Sequence, residues 1–265
     1  MIKDDLGSRM KEFYEDRAKT KLLRRTPVII RIDGKAFHTF TRGFEKPFDL
    51  FLVEAMQNTM MYLCESIQGC VIGYTQSDEI SLALVDYKNI HSDAWFDNSV
   101  EKLCSISASM ATLVFNRSFA NAISRETSKA NKTALEINRN MNHIISSERG
   151  AIFDSRCFNL PKEEVTNYFL WRQQDASRNS INSLAQTVFP HKELQGLSTE
   201  EVKRKLVEEK GIDWDSYPTL LKKGSCCIKV ARQSGSLLRE IWEIDNNIPD
   251  FVGDGRYYIE NLINF

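Results

Sequence analysis

The chain has no long apolar run: no stretch of its 265 residues approaches the ~18 apolar positions of a membrane-spanning helix, and no membrane partner is expected. Met1 to Arg17 alternates acidic and basic residues and lacks the apolar centre of a secretory signal, so residence in the cytoplasm is expected. Charge of neither sign prevails. With 35 Lys and Arg against 36 Asp and Glu the net charge is −1, so a polyanion would have to meet a local basic patch rather than an overall field. The six cysteines (Cys64, Cys70, Cys104, Cys157, Cys226 and Cys227) include no Cys-x-x-Cys pair and no histidine at zinc-finger spacing. That argues against a structural zinc module and reads as scattered, reduced thiols. Internal repeats, low-complexity tracts and linkers are missing too, as is a complete aromatic-rich RNA-recognition motif.

What is present is a chain apolar enough, at 42%, to bury a large core as one elaborated domain or two small ones. Leu6 to Leu23, with Met10, Phe13, Ala18 and Leu22 near helical spacing, predicts an opening helix closed by Pro27. Val28 to Ile32 is a β-branched run ending in Asp33-Gly34, the pattern of a buried strand followed by a turn. Phe48 to Ile67 carries an apolar stripe of helical period. Cys70 to Thr75 and Ile80 to Val85 are strand-like runs separated by Gln76-Ser77-Asp78-Glu79, which predicts a hairpin with an acidic pair at its tip. A helix is expected over Asp97 to Ala122, a polar stretch over Arg125 to Ser147, a strand over Ala151 to Phe158, and a helix from Pro161 through Trp171. Beyond Val188 the sequence is helical and charged up to a last strand, Gly224 to Val230. This order describes an α/β (α+β) fold with a mostly antiparallel sheet covered by helices.

Asp33 at a strand end and Asp78 at a hairpin tip are the residue types that metal-assisted phosphoryl chemistry uses. Mg²⁺ takes oxygen ligands in near-octahedral geometry and keeps positions open for phosphate, so a few carboxylates on rigid elements suffice. Gly34 adds a carbonyl that can approach an ion with no Cβ in the way. Each motif also has an ordinary reading, because Asp-Gly after a strand is a common turn and Ser-Asp-Glu makes a solvated hairpin tip. Lys46 is equally an exposed lysine, and His38 a structural imidazole to which no proton transfer is assigned. On the residues alone both readings stand.

Arg31 to His38, Lys46-Pro47, Tyr74 to Glu79, Phe153-Asp154-Ser155-Arg156, Trp171 to Asp175 and Lys223-Gly224 stand in the order and spacing of the tRNA-His guanylyltransferase superfamily. The chain resembles that family over nearly its whole length. The resemblance implies a palm like that of forward polymerases and nucleotidyl cyclases in residues 1–160, with 161–265 as a helical and strand elaboration of the same catalytic unit. It also implies joining of nucleotides in the 3′-to-5′ direction. On this resemblance Asp33 and Asp78 bridge two Mg²⁺ ions, with the Gly34 carbonyl as a further ligand. Asp33, Gly34, Lys35, Ala36, Phe37 and His38 line the incoming triphosphate largely through backbone N–H groups, which suit anions at a turn. Ser77 contributes beside Asp78, Lys46 and Asp49 serve the activating nucleotide, and Glu79 joins Asp33, Asp78 and Lys46 in the catalytic set. ATP and GTP or other NTPs are the implied substrates, tRNA the implied partner and a homotetramer the implied assembly.

Arg172, Arg178, Lys222 and Lys223 adjoin these blocks and are expected to contact RNA phosphates. Arg117, Arg125, Lys129, Lys132 and Arg139, with Asn131, Asn138 and Asn140, form a modest surplus that reads equally as a solvated face. One departure from the family pattern bears on specificity. Members specific for tRNA-His carry His-Ile-Asn-Asn-Leu-Tyr-Asn after the Trp-Arg-Gln block, whereas Ser177 to Gln186 has neither the histidine nor the aromatic. The expectation is therefore templated filling of 5′-truncated tRNA. The alternatives are addition of an extra 5′ G to tRNA-His, a nucleotidyl cyclase on a similar palm, and an inactive tRNA-binding protein.

Overall fold

The β-branched runs pair into one six-stranded sheet in the computed structural model, which describes residues 5–128, 134–234 and 237–264. Its strands are β1 (Val28–Gly34), β2 (Cys70–Gln76), β3 (Glu79–Leu84), β4 (Phe153–Asn159), β5 (Ser225–Ser234) and β6 (Leu237–Asp245). The order is β4-β1-β3-β2-β5-β6, and every neighbouring pair is antiparallel. The helices are α1 (Asp5–Met10), α2 (Phe37–Phe40), α3 (Leu50–Ser66), α4 (Val100–Thr127) and α5 (Ala134–Arg149), then α6 (Lys162–Gln186), α7 (His191–Leu194), α8 (Thr199–Lys210), α9 (Thr219–Lys223) and α10 (Tyr257–Ile263). Among the described residues no helix is long and apolar enough to cross a membrane.

Successive side chains of a strand leave on opposite faces, and over the central strands both faces are apolar and covered. Ile30, Ile32 and Leu82 pack with Met56, Met60, Phe115 and Phe119 of α3 and α4. Ile29, Ile72 and Tyr74 pack with Val165 and Phe169 of α6 and Ile259 of α10. Each such large side chain contributes about 1.5–3 kcal/mol by leaving water. A Cβ on Gly73 would stand 2.5 Å from Cys64 Sγ, so glycine is what lets α3 lie close on β2. The C-terminal half of α6 runs past the sheet and is held by a third cluster, in which Ile181 and Leu184 meet Leu206 and Trp214.

The sheet, the hairpin and the covering helices follow the sequence reading, and several boundaries differ. The opening helix stops at Ala18 instead of Leu23 because the next residues pair elsewhere: Lys21 bridges Ser99, and Leu22 N–H donates to Asn98 C=O at 3.0 Å. The helix expected to end at Trp171 continues to Gln186, since its apolar side finds the third cluster. The polar stretch 125–147 contains most of α5, whose polar side chains are put to internal use described below. Lys129, Asn131 and Lys132, weighed as RNA contacts, lie outside the described residues. The last strand is the first of two, β5 and β6, paired from Cys226↔Asp245 to Ser234↔Leu237.

Candidate active site

Strand register brings the acidic residues together. Asp33 stands opposite Glu79 of β3 and opposite Asp154 of β4, while Gly34 N–H donates to the Asp78 carbonyl at 3.1 Å. The hairpin tip is thereby fastened to the end of β1. Ser77 adopts φ +50°, a conformation few non-glycine residues adopt, and its hydroxyl donates to Asp78 Oδ1 at 2.9 Å. Burial is the main force pushing the Asp78 carboxyl up; Ser77 pulls it down and the charge of Asp33 pushes it further up. A divalent cation between the two carboxylates would reverse that mutual push, so the pair suits Mg²⁺. Among the described residues no three His, Cys, Asp or Glu side chains converge as a ready metal cage. A Mg²⁺ site completed by phosphate oxygens and water needs none. At Gly34 a Cβ would fall 2.2 Å from the Phe37 ring, so only glycine fits there and its carbonyl stays unobstructed.

A cavity of about 620 Å³ opens beside this pair. Of the residues expected at the nucleotide, Gly34, Ala36, Phe37, His38, Lys46, Asp49, Ser77 and Asp78 line it; Asp33 and Lys35 do not. Ala36, like Ser77, has positive φ (+54°), so two non-glycine residues in sparsely populated backbone conformations meet at one cavity. The expectation that the 33–38 backbone offers its N–H groups to phosphate needs correction at two positions. Gly34 N–H is taken by Asp78 and Lys35 N–H by the Ile152 carbonyl at 2.8 Å. The groups left without an intrahelical acceptor are those of the first turn of α2, Phe37 and His38.

Three expected site residues turn inward. Asp49 is the N-cap of α3: Oδ1 accepts from Phe51 N–H (3.1 Å) and Leu52 N–H (3.2 Å), and Oδ2 from Glu45 N–H (3.1 Å) and His143 Nε2 (2.8 Å). Burial pushes its carboxyl up, but His143 and the backbone N–H groups outweigh that and hold it below the usual range. Glu79 faces α6 rather than the cavity, with Arg172 Nε on Oε1 at 2.7 Å and Arg172 Nη2 on Oε2 at 2.9 Å. Burial pushes the Glu79 carboxyl up while Arg172 pulls it down; burial likewise works against the Arg172 charge and Glu79 supports it. The two-pronged geometry is that of an ion pair, and we treat it as ionised at neutral pH. Arg172, expected on RNA, is thus 6% exposed and also bonded to Asp175 at 2.9 Å. Its place is structural: it ties α6 to the hairpin that carries Asp78.

Three residues stand at the site that sequence reasoning did not assign a role. His143 of α5 backs Asp49. Trp171 is half exposed, with the Arg172 guanidinium 4.5 Å and the Arg31 guanidinium 5.8 Å from its ring. Arg31 also lies 3.9 Å from Glu79 Oε2. Trp171 and Arg31 sit inside the family-like blocks and could have been flagged from them; His143 has no local signal.

The comparison with known proteins decides what this geometry belongs to. Residues 7–161, more than half of the chain, match the family model for tRNAHis guanylyltransferase. The chain belongs to the tRNA-His guanylyltransferase family. It is accordingly a nucleotidyltransferase. A bacterial tRNA-His guanylyltransferase-like protein in complex with ATP superposes with a TM-score of 0.81 at 40% identity, over 98% of this chain and 100% of that one. Such a bacterial protein in complex with GTP gives 0.79 at 37% identity, over 99% and 100%. An uncharacterized protein of Acanthamoeba polyphaga mimivirus is 31% identical over 234 residues, 84% of this chain and 77% of its own length.

In this member of the tRNA-His guanylyltransferase family the remaining basic candidates are Arg178, Lys222 and Lys223. Arg178 is exposed and pairs with Asp175. Lys222 Nζ donates to the Asp215 carbonyl at 2.6 Å and lies 5.1 Å from the Trp214 ring; Lys223 pairs with Asp250 at 2.5 Å. All three sit on α6 and α9 beside a smaller cavity lined by Asn179, Ser180 and Lys222, which shares Asp49, Ser77 and Ser183 with the larger one. Arg139, in the weaker set, pairs with Glu45 instead of standing free.

Proposed function

We propose that the chain adds nucleotides to the 5′ end of tRNA in the 3′-to-5′ direction, filling 5′-truncated acceptor stems against the opposing strand. The observation that carries this reading is one cavity that joins Asp78 and Lys46 to Ser183 and Gln186, residues of the block that departs from the tRNA-His-specific pattern. Uncharged, non-aromatic polar side chains there leave base choice to pairing. The bacterial relatives in complex with ATP and with GTP support nucleotide substrates.

In the proposed reaction the 5′ monophosphate of the RNA attacks the α-phosphorus of ATP and pyrophosphate leaves. The 3′ hydroxyl of the incoming NTP then attacks the adenylylated 5′ phosphate, and AMP leaves. A 5′-triphosphorylated end enters directly at the second stage, with pyrophosphate leaving. Mg²⁺ held by Asp33, Asp78 and the Gly34 carbonyl would lower the pKa of the attacking oxygen and stabilise the departing one. The chain's own part is to orient the phosphates: the α2 N–H groups and Lys46 neutralise charge, and the Arg172–Glu79 clasp fixes the hairpin that carries Asp78.

Lys46→Ala should reduce kcat/KM for ATP on 5′-monophosphorylated RNA by roughly tenfold to a hundredfold, the scale of one charge-assisted phosphate contact. Addition to 5′-triphosphorylated RNA should fall much less. Single-turnover assays on the two substrates check this, and equal losses would contradict the assignment of Lys46 to activation.

A further inference from the structure

α5 lies along α2 and the loop between α2 and α3, and grips the loop at three points and the end of α2 at two. Arg139 pairs with Glu45 at 2.5 Å, Asn142 Nδ2 donates to the Gly43 carbonyl at 3.1 Å, and His143 Nε2 meets Asp49 Oδ2 at 2.8 Å. Ser146 Oγ donates to the Phe40 carbonyl at 2.6 Å, and Arg149 reaches the Thr39 carbonyl at 3.4 Å. Spacings of three and four place these residues on one face of the helix. The loop they hold supplies Thr41, Phe44, Glu45, Lys46 and Pro47 to the cavity wall.

His143 is the most deeply buried member of the set, 0% exposed, with its ring edge-on to Phe44 (4.4 Å) and Phe51 (4.8 Å). Asp49 is a carboxylate held below its usual range and can only accept hydrogen bonds, so His143 must carry its proton on Nε2 and donate it. Nδ1 is then left buried and, among the described residues, without a hydrogen-bond partner. A fold keeps such an arrangement when the donated bond has a use, since an apolar side chain would pack among these rings without leaving a polar atom unpaired.

We propose that His143 is a positioning residue for the activating nucleotide. Through Asp49 Oδ2, which also accepts Glu45 N–H, it fixes the Glu45–Pro47 segment and therefore where Lys46 stands over the cavity. His143 itself does not line the cavity. This inference rests on the proposed function, in which Lys46 serves the ATP of the activation step.

The test compares the full-length wild type, H143L and H143Q with ATP on 5′-monophosphorylated and 5′-triphosphorylated truncated tRNA. H143L should raise KM for ATP about tenfold in activation, a misplacement effect, and leave addition to triphosphorylated RNA within about twofold of wild type. H143Q, whose amide N–H can reach the place of Nε2, should restore the KM. If H143L does not fold, H143N replaces it: asparagine offers an N–H only near the place of Nδ1, so its KM should be raised while that of H143Q stays near wild type. A histidine needed only for packing would lower the melting temperature and both activities together, with Gln no better than Leu or Asn, and that result overturns the inference. Wild-type addition with an unchanged ATP KM in H143L overturns it alone; failure of the wild type to add any nucleotide overturns the proposed function and this inference with it.

Discussion

Asp33→Ala and Asp78→Ala should each lower nucleotide addition by at least about a thousandfold in Mg²⁺, on mono- and triphosphorylated RNA alike, because both stages are proposed to need the same charge clamp. Stability should move the other way or not at all. The Asp78 carboxyl is pushed up by burial and then by Asp33, so removing either carboxylate relieves a repulsion that the folded chain otherwise carries. A catalytic role and a structural role therefore give opposite signatures. Activity lost with the melting temperature unchanged or raised is the expected pair of readings. Retained turnover in either variant would contradict the assignment of these carboxylates to Mg²⁺.

Arg172→Ala should be the most destabilising single change at the site. It leaves Glu79 buried opposite Asp33 without its two-pronged partner, and breaking a buried pair from one side costs about 3–5 kcal/mol. Arg31, 3.9 Å from Glu79, remains and places the loss near the lower end, about 3 kcal/mol. For a chain of this size that lowers the melting temperature by roughly 6–12 °C. The deficit should shrink as pH falls. In the variant Glu79 has a folded pKa raised above its unfolded value, so its stabilising contribution is present below the unfolded pKa and is lost as pH rises through the folded one. Removing both charges with Glu79→Met and Arg172→Met should cost less than Arg172→Ala alone. Thermal melts at pH 5 and pH 8 check all three statements; a deficit independent of pH would mean that lost packing, not the unpaired carboxylate, dominates.

The parts of this molecule legible in its sequence are those written locally. Val28 to Ile32 and the two runs around Gln76–Glu79 are β-branched and turn-bounded, so the strands and the hairpin bearing Asp78 could be drawn from them, and the family resemblance implied that Asp33 and Asp78 come together, whereas the pairing of β1 with β3 is seen only in the structure. What stayed hidden depends on partners far along the chain. Arg172 reads as a surface cation in a family-like block until Glu79, 93 residues away, is seen to take it. α5 reads as polar and solvated because Arg139, Asn142, His143 and Ser146 are all hydrophilic, yet their acceptors lie on the end of α2 and the loop after it. β6 was missed because an edge strand with one partner alternates charged and apolar residues, Arg239, Glu240 and Glu243 among them, and resembles the helical text before it. Burial of a polar side chain is set by the complement it meets, and one sequence read from left to right does not show that complement.

The central claim is that base choice is made by the opposing strand. The most direct test is incorporation of each labelled NTP by the wild-type chain onto a 5′-truncated tRNA whose opposing 3′-strand base is varied through all four identities, with nearest-neighbour analysis of the added nucleotide. The account predicts that the complement is added in each case and that intact tRNA-His receives no extra residue. G added opposite every base, or an extra G placed on intact tRNA-His, would contradict it.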